Sequence, residues 1–190
     1  MFMKKDRQGQ AALLHDLDYS KIRRQIRSQK YKILLDLARY TGEKWGALIK
    51  LKVEDVYEAD GSPREFLIFG DRNQTDNEIR QIPLHDNIQE SLRHYKPSRS
   101  GWLFPSRDHP ENHITLKFAD LLLRQALAKA GLESRGISTH STRITFITKL
   151  YRNGTDIEII QRITGYQDRR GIERYLKDDA DRIKGAIATL

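Results

Sequence analysis

The run from Ser138 to Gly165 constrains the fold more than any other stretch of the chain. Ser138 or Thr139 is a hydroxyl residue suited to cap a helix, and the segment that follows runs to Arg152, where Asn153-Gly154 supplies a left-handed stop. Thr155-x-x-Glu158 then reads as a capping box opening the next helix, and Gly165 closes that one. The carboxy-terminal third is therefore helical with short punctuation.

Upstream, the first nineteen residues are polar and weakly periodic, and read as an arm or linker stub, so the folded domain is expected over residues 20–190. Ser20 is the predicted cap of a helix in which Ile22, Ile26, Ile33, Leu34, Leu37 and Ala38 recur at helical spacing, until Thr41-Gly42 ends it. A short helix carrying Trp45, Leu48 and Ile49 follows. Glu65–Phe69 and Ile79–Leu84 are β-rich runs separated by polar residues, which suits a small antiparallel pair, and Val53–Tyr57 is a candidate third strand. Asp86 opens a helix to about Tyr95. Leu116–Ala130 is a strongly apolar helix stopped by Gly131, and Ile183, Ala186, Ile187 and Leu190 mark an amphipathic terminal helix. The fold class is thus mainly α with a small antiparallel sheet.

With 190 residues, a single domain is sufficient to bury a core. No apolar run reaches the roughly 18 to 20 residues that cross a bilayer, and the first ten residues hold no apolar signal core, so no membrane role is expected and the cytoplasm is the default. The absence of cysteine removes disulfides, thiol catalysis and iron–sulfur clusters. No glycine-rich nucleotide loop is present, and His15, His85, His94, His109 and His113 form no convincing metal site, so neither cofactor nor metal is expected. The net charge of +8 favours a polyanionic partner. It is front-loaded: Met1 to Lys32 holds nine Lys and Arg, among them Arg23, Arg24 and Arg27, against three Asp. These arginines are candidates for tracking a DNA backbone.

The residues able to carry chemistry lie at the other end. His140 and Arg143 are three apart on one helix near its amino terminus, so they share a face where backbone amides already favour an anion. Arg offers a planar fork for two phosphate oxygens and His handles protons near neutral pH. Tyr175 follows among Arg169, Arg170 and Arg174, cations that would stabilise a phenolate.

Residues 138 to 176 resemble the carboxy-terminal boxes of the tyrosine recombinase, or phage integrase, family. His140-Ser-Thr-Arg143 matches the family's H-x-x-R, Gly165-Tyr166 falls where its G-H or G-W sits, and Tyr175 stands nine residues further on. Tyr40 to Leu51, the β pair ending Arg80-Gln-Ile-Pro-Leu84, and Gly101-Trp-Leu-Phe-Pro105 follow in family order. The resemblance implies the catalytic-domain fold of that family, with its amino-terminal core-binding domain absent from these residues. It implies a site-specific recombinase or integrase that cleaves and rejoins duplex DNA through a 3′-phosphotyrosine, with Tyr175 as nucleophile, Arg143 as phosphate clamp and His140 handling a proton or the phosphate. It also implies four protomers on paired DNA sites, a monomer being compatible with the isolated chain. DNA contacts are expected at Arg23, Arg24, Arg27, Arg72, Thr75, Arg169 and Arg170.

The chain departs from the family pattern in four places. Lys44 stands at the first clamping Arg and exchanges a bidentate fork for one ammonium. The hairpin lysine position falls near Thr75, in a loop without Lys, where Arg72 is a poor proton donor. Tyr166 replaces His or Trp but still offers a hydroxyl, and Ala47 replaces a helper acid. Attenuated catalysis is one expectation from these changes. The rivals are a catalytically decayed DNA-binding or regulatory protein and, from charge alone, a basic RNA-binding protein.

Overall fold

In the computed structural model, residues 11–70 and 79–176 are described. Helices α1 (Asp16–Gln25), α2 (Gln29–Thr41) and α3 (Trp45–Leu48) come first, followed by strands β1 (Phe66–Phe69) and β2 (Arg80–Pro83). Helices α4 (Asp86–Arg93), α5 (Leu116–Lys129), α6 (Thr139–Arg152), α7 (Ile157–Thr164) and α8 (Arg170–Glu173) complete the order. The protein is mainly helical with a small antiparallel sheet, as its patterning predicts. Phe66 pairs with Pro83 and Phe69 with Arg80, so Leu67, Phe69 and Ile82 turn inward. Among the described residues, no helix is long and apolar enough to cross a membrane.

The stops behave as their chemistry dictates. Gly42, Gly131 and Gly165 all take positive φ, at 64°, 69° and 67°. At Gly42 a Cβ would also lie 2.3 Å from the Phe146 ring, so glycine is required there by contact as well as by conformation. Ser138 caps α6, accepting from the His140 amide at 3.3 Å.

Elsewhere tertiary packing overrides the local signal. The long helix expected from Ser20 is two helices, because Ile26 and Ser28 adopt extended backbone and the chain turns between them. No glycine or proline marks that break, and Ile26 is buried on its far side. The third strand is not formed: the Asp55 carboxylate accepts from the Lys52 amide at 2.8 Å and curls Val53–Asp55 into a 3-10 turn. The capping box at Thr155 also fails, since Asp156 takes the cap position without a side-chain bond and Glu158 pairs instead with Arg169 at 3.2 Å.

Folded structure begins before Ser20. Leu14 is fully buried and donates its amide to Thr145 Oγ1 at 2.7 Å, and the Ala12 amide reaches the Gly136 carbonyl at 3.0 Å. Asp16 accepts from Lys149 at 2.8 Å and from Arg39, and Asp18 pairs with Arg135 at 3.0 Å. From Ala11 onward, then, the segment read as an arm is stitched to α2 and α6, while residues 1–10 and the helix expected at Ile183–Leu190 lie outside the described residues.

Two apolar clusters result. A large one gathers α1 to α5, the sheet and the intervening loops, and a small one consists of Ile147, Ile160 and Ile172 with Tyr166 and Tyr175 packed on it. Replacing Leu14 by Ala should cost about 2–5 kcal/mol of stability, read by urea unfolding. A change below about 0.5 kcal/mol would return the segment to the status of a dispensable arm.

Candidate active site

Helix α6 is the platform. Its first turn is fixed by reciprocal bonds, Ser138 Oγ with the His140 amide and Ser141 Oγ with the Ser138 amide. This presents His140 on the exposed surface and turns Arg143 inward, where it is 3% exposed. Arg143 Nη1 donates to the Gly42 carbonyl at 2.9 Å, Nη2 to the Thr164 carbonyl at 2.7 Å and Nε to the Tyr166 hydroxyl at 3.3 Å. The Trp45 indole donates to Thr142 Oγ1 at 3.2 Å, which docks α3 on α6 and sets Lys44, the exposed cap residue of α3, beside this end of the helix.

Tyr166 connects the guanidinium to Tyr175. Its ring lies under Arg143, 4.5 Å from ring centre to guanidinium carbon, and its hydroxyl is 3.4 Å from that of Tyr175. Arg174 closes the line, donating to the Tyr175 hydroxyl and covering its ring. Burial of the Tyr166 hydroxyl favours its neutral form, but the Arg143 charge and hydrogen bonds with Tyr175, Arg143 and Arg174 together carry it below the ordinary phenol range. Tyr175 moves the other way: burial raises it, and so does Tyr166, the phenol that ionises first, against the opposing pull of Arg174. The arrangement can hold an anion at Arg143 and keep one phenol protonated beside it.

Two residues of the site carried no signal in the sequence. Glu43 is 3% exposed and bridges two arginines, with Arg143 Nη1 at 3.8 Å and Arg80 Nη2 at 2.5 Å. Arg80 opens β2 and also donates to the Ile163 carbonyl at 2.7 Å.

The expected DNA-contact residues divide. Arg23, its side chain 31% exposed, is paired at 2.8 Å with buried Asp36, which also accepts from the Tyr19 hydroxyl at 2.6 Å. One charge of the basic run is therefore already met by a carboxylate of the protein itself. Arg169 holds Glu158 and Glu173 at 3.2 and 2.9 Å. Arg24, Arg27 and Arg170 are exposed, and none is in an ion pair among the described residues. Arg72 and Thr75 lie outside those residues.

Comparison with known proteins follows the same lines. The chain matches the phage integrase family model over residues 10–182. Tyrosine recombinase XerD of Bradyrhizobium diazoefficiens is 26% identical over 127 residues, which is 60% of this chain and 40% of that protein. The chain spans about half or less of the length of the curated relatives it matches. Among solved structures, the XerA recombinase superposes with a TM-score of 0.74 at 19% identity, over 97% of this chain and 65% of that one. The XerH site-specific recombinase bound to its palindromic difH substrate superposes with a TM-score of 0.70, also at 19% identity, over 94% and 53%.

Spectrophotometric titration of the free protein should show one phenol ionising below the ordinary value of about 10. Tyr166→Phe should remove that step and Tyr175→Phe should retain it in weakened form. Persistence of the step in Tyr166→Phe would assign it to another tyrosine.

Proposed function

Because this chain belongs to the phage integrase family, we propose that it is a site-specific DNA recombinase or integrase, breaking and rejoining duplex DNA through Tyr175. The observation that carries this reading is the line Arg143–Tyr166–Tyr175, in which a buried phosphate-type guanidinium and a candidate nucleophile are one hydroxyl apart.

Arg143 has five N–H donors, and the Gly42, Thr164 and Tyr166 oxygens hold three of them. One N–H on each terminal nitrogen is left for the non-bridging oxygens of a phosphodiester, the geometry in which Arg binds phosphate best. Since the guanidinium is 3% exposed, DNA has to part the Tyr166–Tyr175 pair from it on entry. Tyr175 Oη then attacks phosphorus, the bond to the 5′ oxygen breaks, and a 3′-phosphotyrosine and a 5′-hydroxyl result. The phenolic proton leaves Tyr175 as the new bond forms, and the departing oxygen takes one up. His140 and Lys44, at the exposed entries of α6 and α3, are proposed to contact the phosphate and assist in those transfers. Attack by a 5′-hydroxyl of the partner strand reverses the step and conserves the bond energy.

Arg24, Arg27, Arg169 and Arg170 are proposed to follow the duplex backbone, where each neutralised phosphate steepens the salt dependence of binding. Four copies on two paired sites, a monomer off DNA and a cytoplasmic location complete the reading.

A second reading is favoured by two features. Lys44 supplies charge without a fork, and Ala47, 5% exposed, buries a methyl where the family pattern has an acid. A DNA-binding module tolerates both. Incubation with nicked duplexes that trap the covalent intermediate separates the two readings. An active enzyme gives denaturant-resistant adducts that vanish in Tyr175→Phe while DNA binding persists. Restoring the fork in Lys44→Arg should raise the adduct rate by about ten- to a hundred-fold, the equivalent of one charge-assisted hydrogen bond. Binding without adduct in the native chain, with adduct in Lys44→Arg, would mark a decayed site.

A further inference from the structure

We infer that Glu43 is the positioning carboxylate of this site: it sets the Arg143 guanidinium, and Arg80 holds Glu43 in place. The inference deepens the recombinase reading above and rests on it for its catalytic consequence, but the geometry stands by itself.

A carboxylate as buried as Glu43 is costly unless every oxygen is satisfied. Here Oε1 accepts the Lys44 amide at 2.7 Å and faces Arg143 Nη1, while Oε2 accepts from Arg80 Nη2. Its own amide donates to Thr41 Oγ1 at 3.2 Å, and Thr41 Oγ1 donates to the Leu37 carbonyl at 2.6 Å. The side chain is thus locked to the end of α2, and the carboxylate has one available direction, toward the two arginines.

Those arginines continue the lock to the far side of the site. Ile163 and Thr164 end α7, and their carbonyls belong to the last turn, which lacks intrahelical donors and bears the negative end of the helix dipole. Arg80 takes the Ile163 carbonyl and Arg143 the Thr164 carbonyl. The Arg80 guanidinium lies against Gly165, where a Cβ would come within 2.7 Å of Cζ at a φ of +67°. Tyr166 follows directly, so the phenol that contacts Arg143 is placed by the same two guanidiniums. One carboxylate therefore ties the α2–α3 loop, the first residue of β2 and the α7–Tyr166 turn to a common point. Remove its charge and Arg143 loses the partner that draws Nη1 toward Gly42.

Glu43→Gln in the full chain keeps the volume and the acceptor for the Lys44 amide. Two readouts decide. In the free protein, the low-titrating Tyr166 phenol should move up toward the ordinary range. Loss of a negative charge with Arg143 undisturbed would move it further down, so the direction reports whether the guanidinium has shifted. On nicked duplex, the maximal adduct rate should fall about ten- to a hundred-fold while the half-saturating DNA concentration changes less than about threefold. Glu43→Asp should recover part of that rate.

A Tyr166 titration that is unchanged or lowered in a variant with a native unfolding midpoint overturns the inference. If Glu43→Gln does not fold, Arg80→Lys carries the same test, because an ammonium cannot bridge Glu43 and the Ile163 carbonyl as the fork does. A Tyr166 shift upward supports the inference and no shift overturns it. Should the native chain give no adduct on any duplex, the recombinase reading fails, while the titration still decides the positioning role.

Discussion

Everything at the functional end of this protein depends on burying one guanidinium. Placing Arg143 at 3% exposure removes it from water at a cost of several kcal/mol, and only partners held by other parts of the chain can offset that. The Gly42 carbonyl is available because a left-handed glycine ends α2, and the Thr164 carbonyl because another ends α7. Both stops lie away from Arg143 in sequence, and each leaves a carbonyl at a helix end, that of Gly42 just past α2 and that of Thr164 closing α7, aimed at the same guanidinium. Glycine at 42 and 165 is thus a requirement of the site as much as of the helices, since the Phe146 ring and the Arg80 guanidinium occupy the space a side chain would need.

The same logic explains what could be read from the sequence. Helix ends are local events, governed by side chains within a few residues, and Ser138, Asn153-Gly154 and Gly165 were legible for that reason. His140, Arg143, Tyr166 and Tyr175 were legible as a spacing, and Arg143, Tyr166 and Tyr175 do converge. The break at Ile26 to Ser28 was not, because apolar spacing on either side of it fits one continuous helix and only the position of α2 against α6 decides otherwise. The pairing of Arg23 was illegible for a similar reason: a basic run on paper shows no partner until Asp36, on the next helix, claims one of its members. Glu43 and Arg80 were invisible because their significance lies wholly in one another and in Arg143.

Where the family pattern has an acid at position 47 this chain has Ala, and the buried carboxylate beside Arg143 is that of Glu43. At 47, on α3, the small methyl packs into the large cluster. At 43, ahead of α3, a longer side chain reaches across the loop to the two arginines. Two of the four departures from the family pattern therefore affect the site differently. The loss at 47 leaves the buried guanidinium with a carboxylate neighbour, whereas the change at 44 exchanges a fork for one ammonium.

Tyr175, the proposed nucleophile, is held more lightly than Arg143, the proposed clamp. Tyr175 sits just beyond the four-residue α8 and packs on a cluster whose buried members are only Ile147, Ile160 and Ile172, set apart from the large one. Segments with few buried apolar contacts open at a fraction of the global free energy, so the Tyr175 segment is expected to open more readily than α6. That difference suits a transesterification in both directions. In the proposed reaction the phosphate stays on one guanidinium through cleavage and rejoining, while the phenol approaches it, carries the strand and withdraws. Raised by burial and by its more acidic neighbour, Tyr175 remains a protonated phenol where Tyr166 faces it. On the proposed mechanism it becomes a nucleophile only when DNA parts the two rings and brings the phosphate between Tyr175 and Arg143.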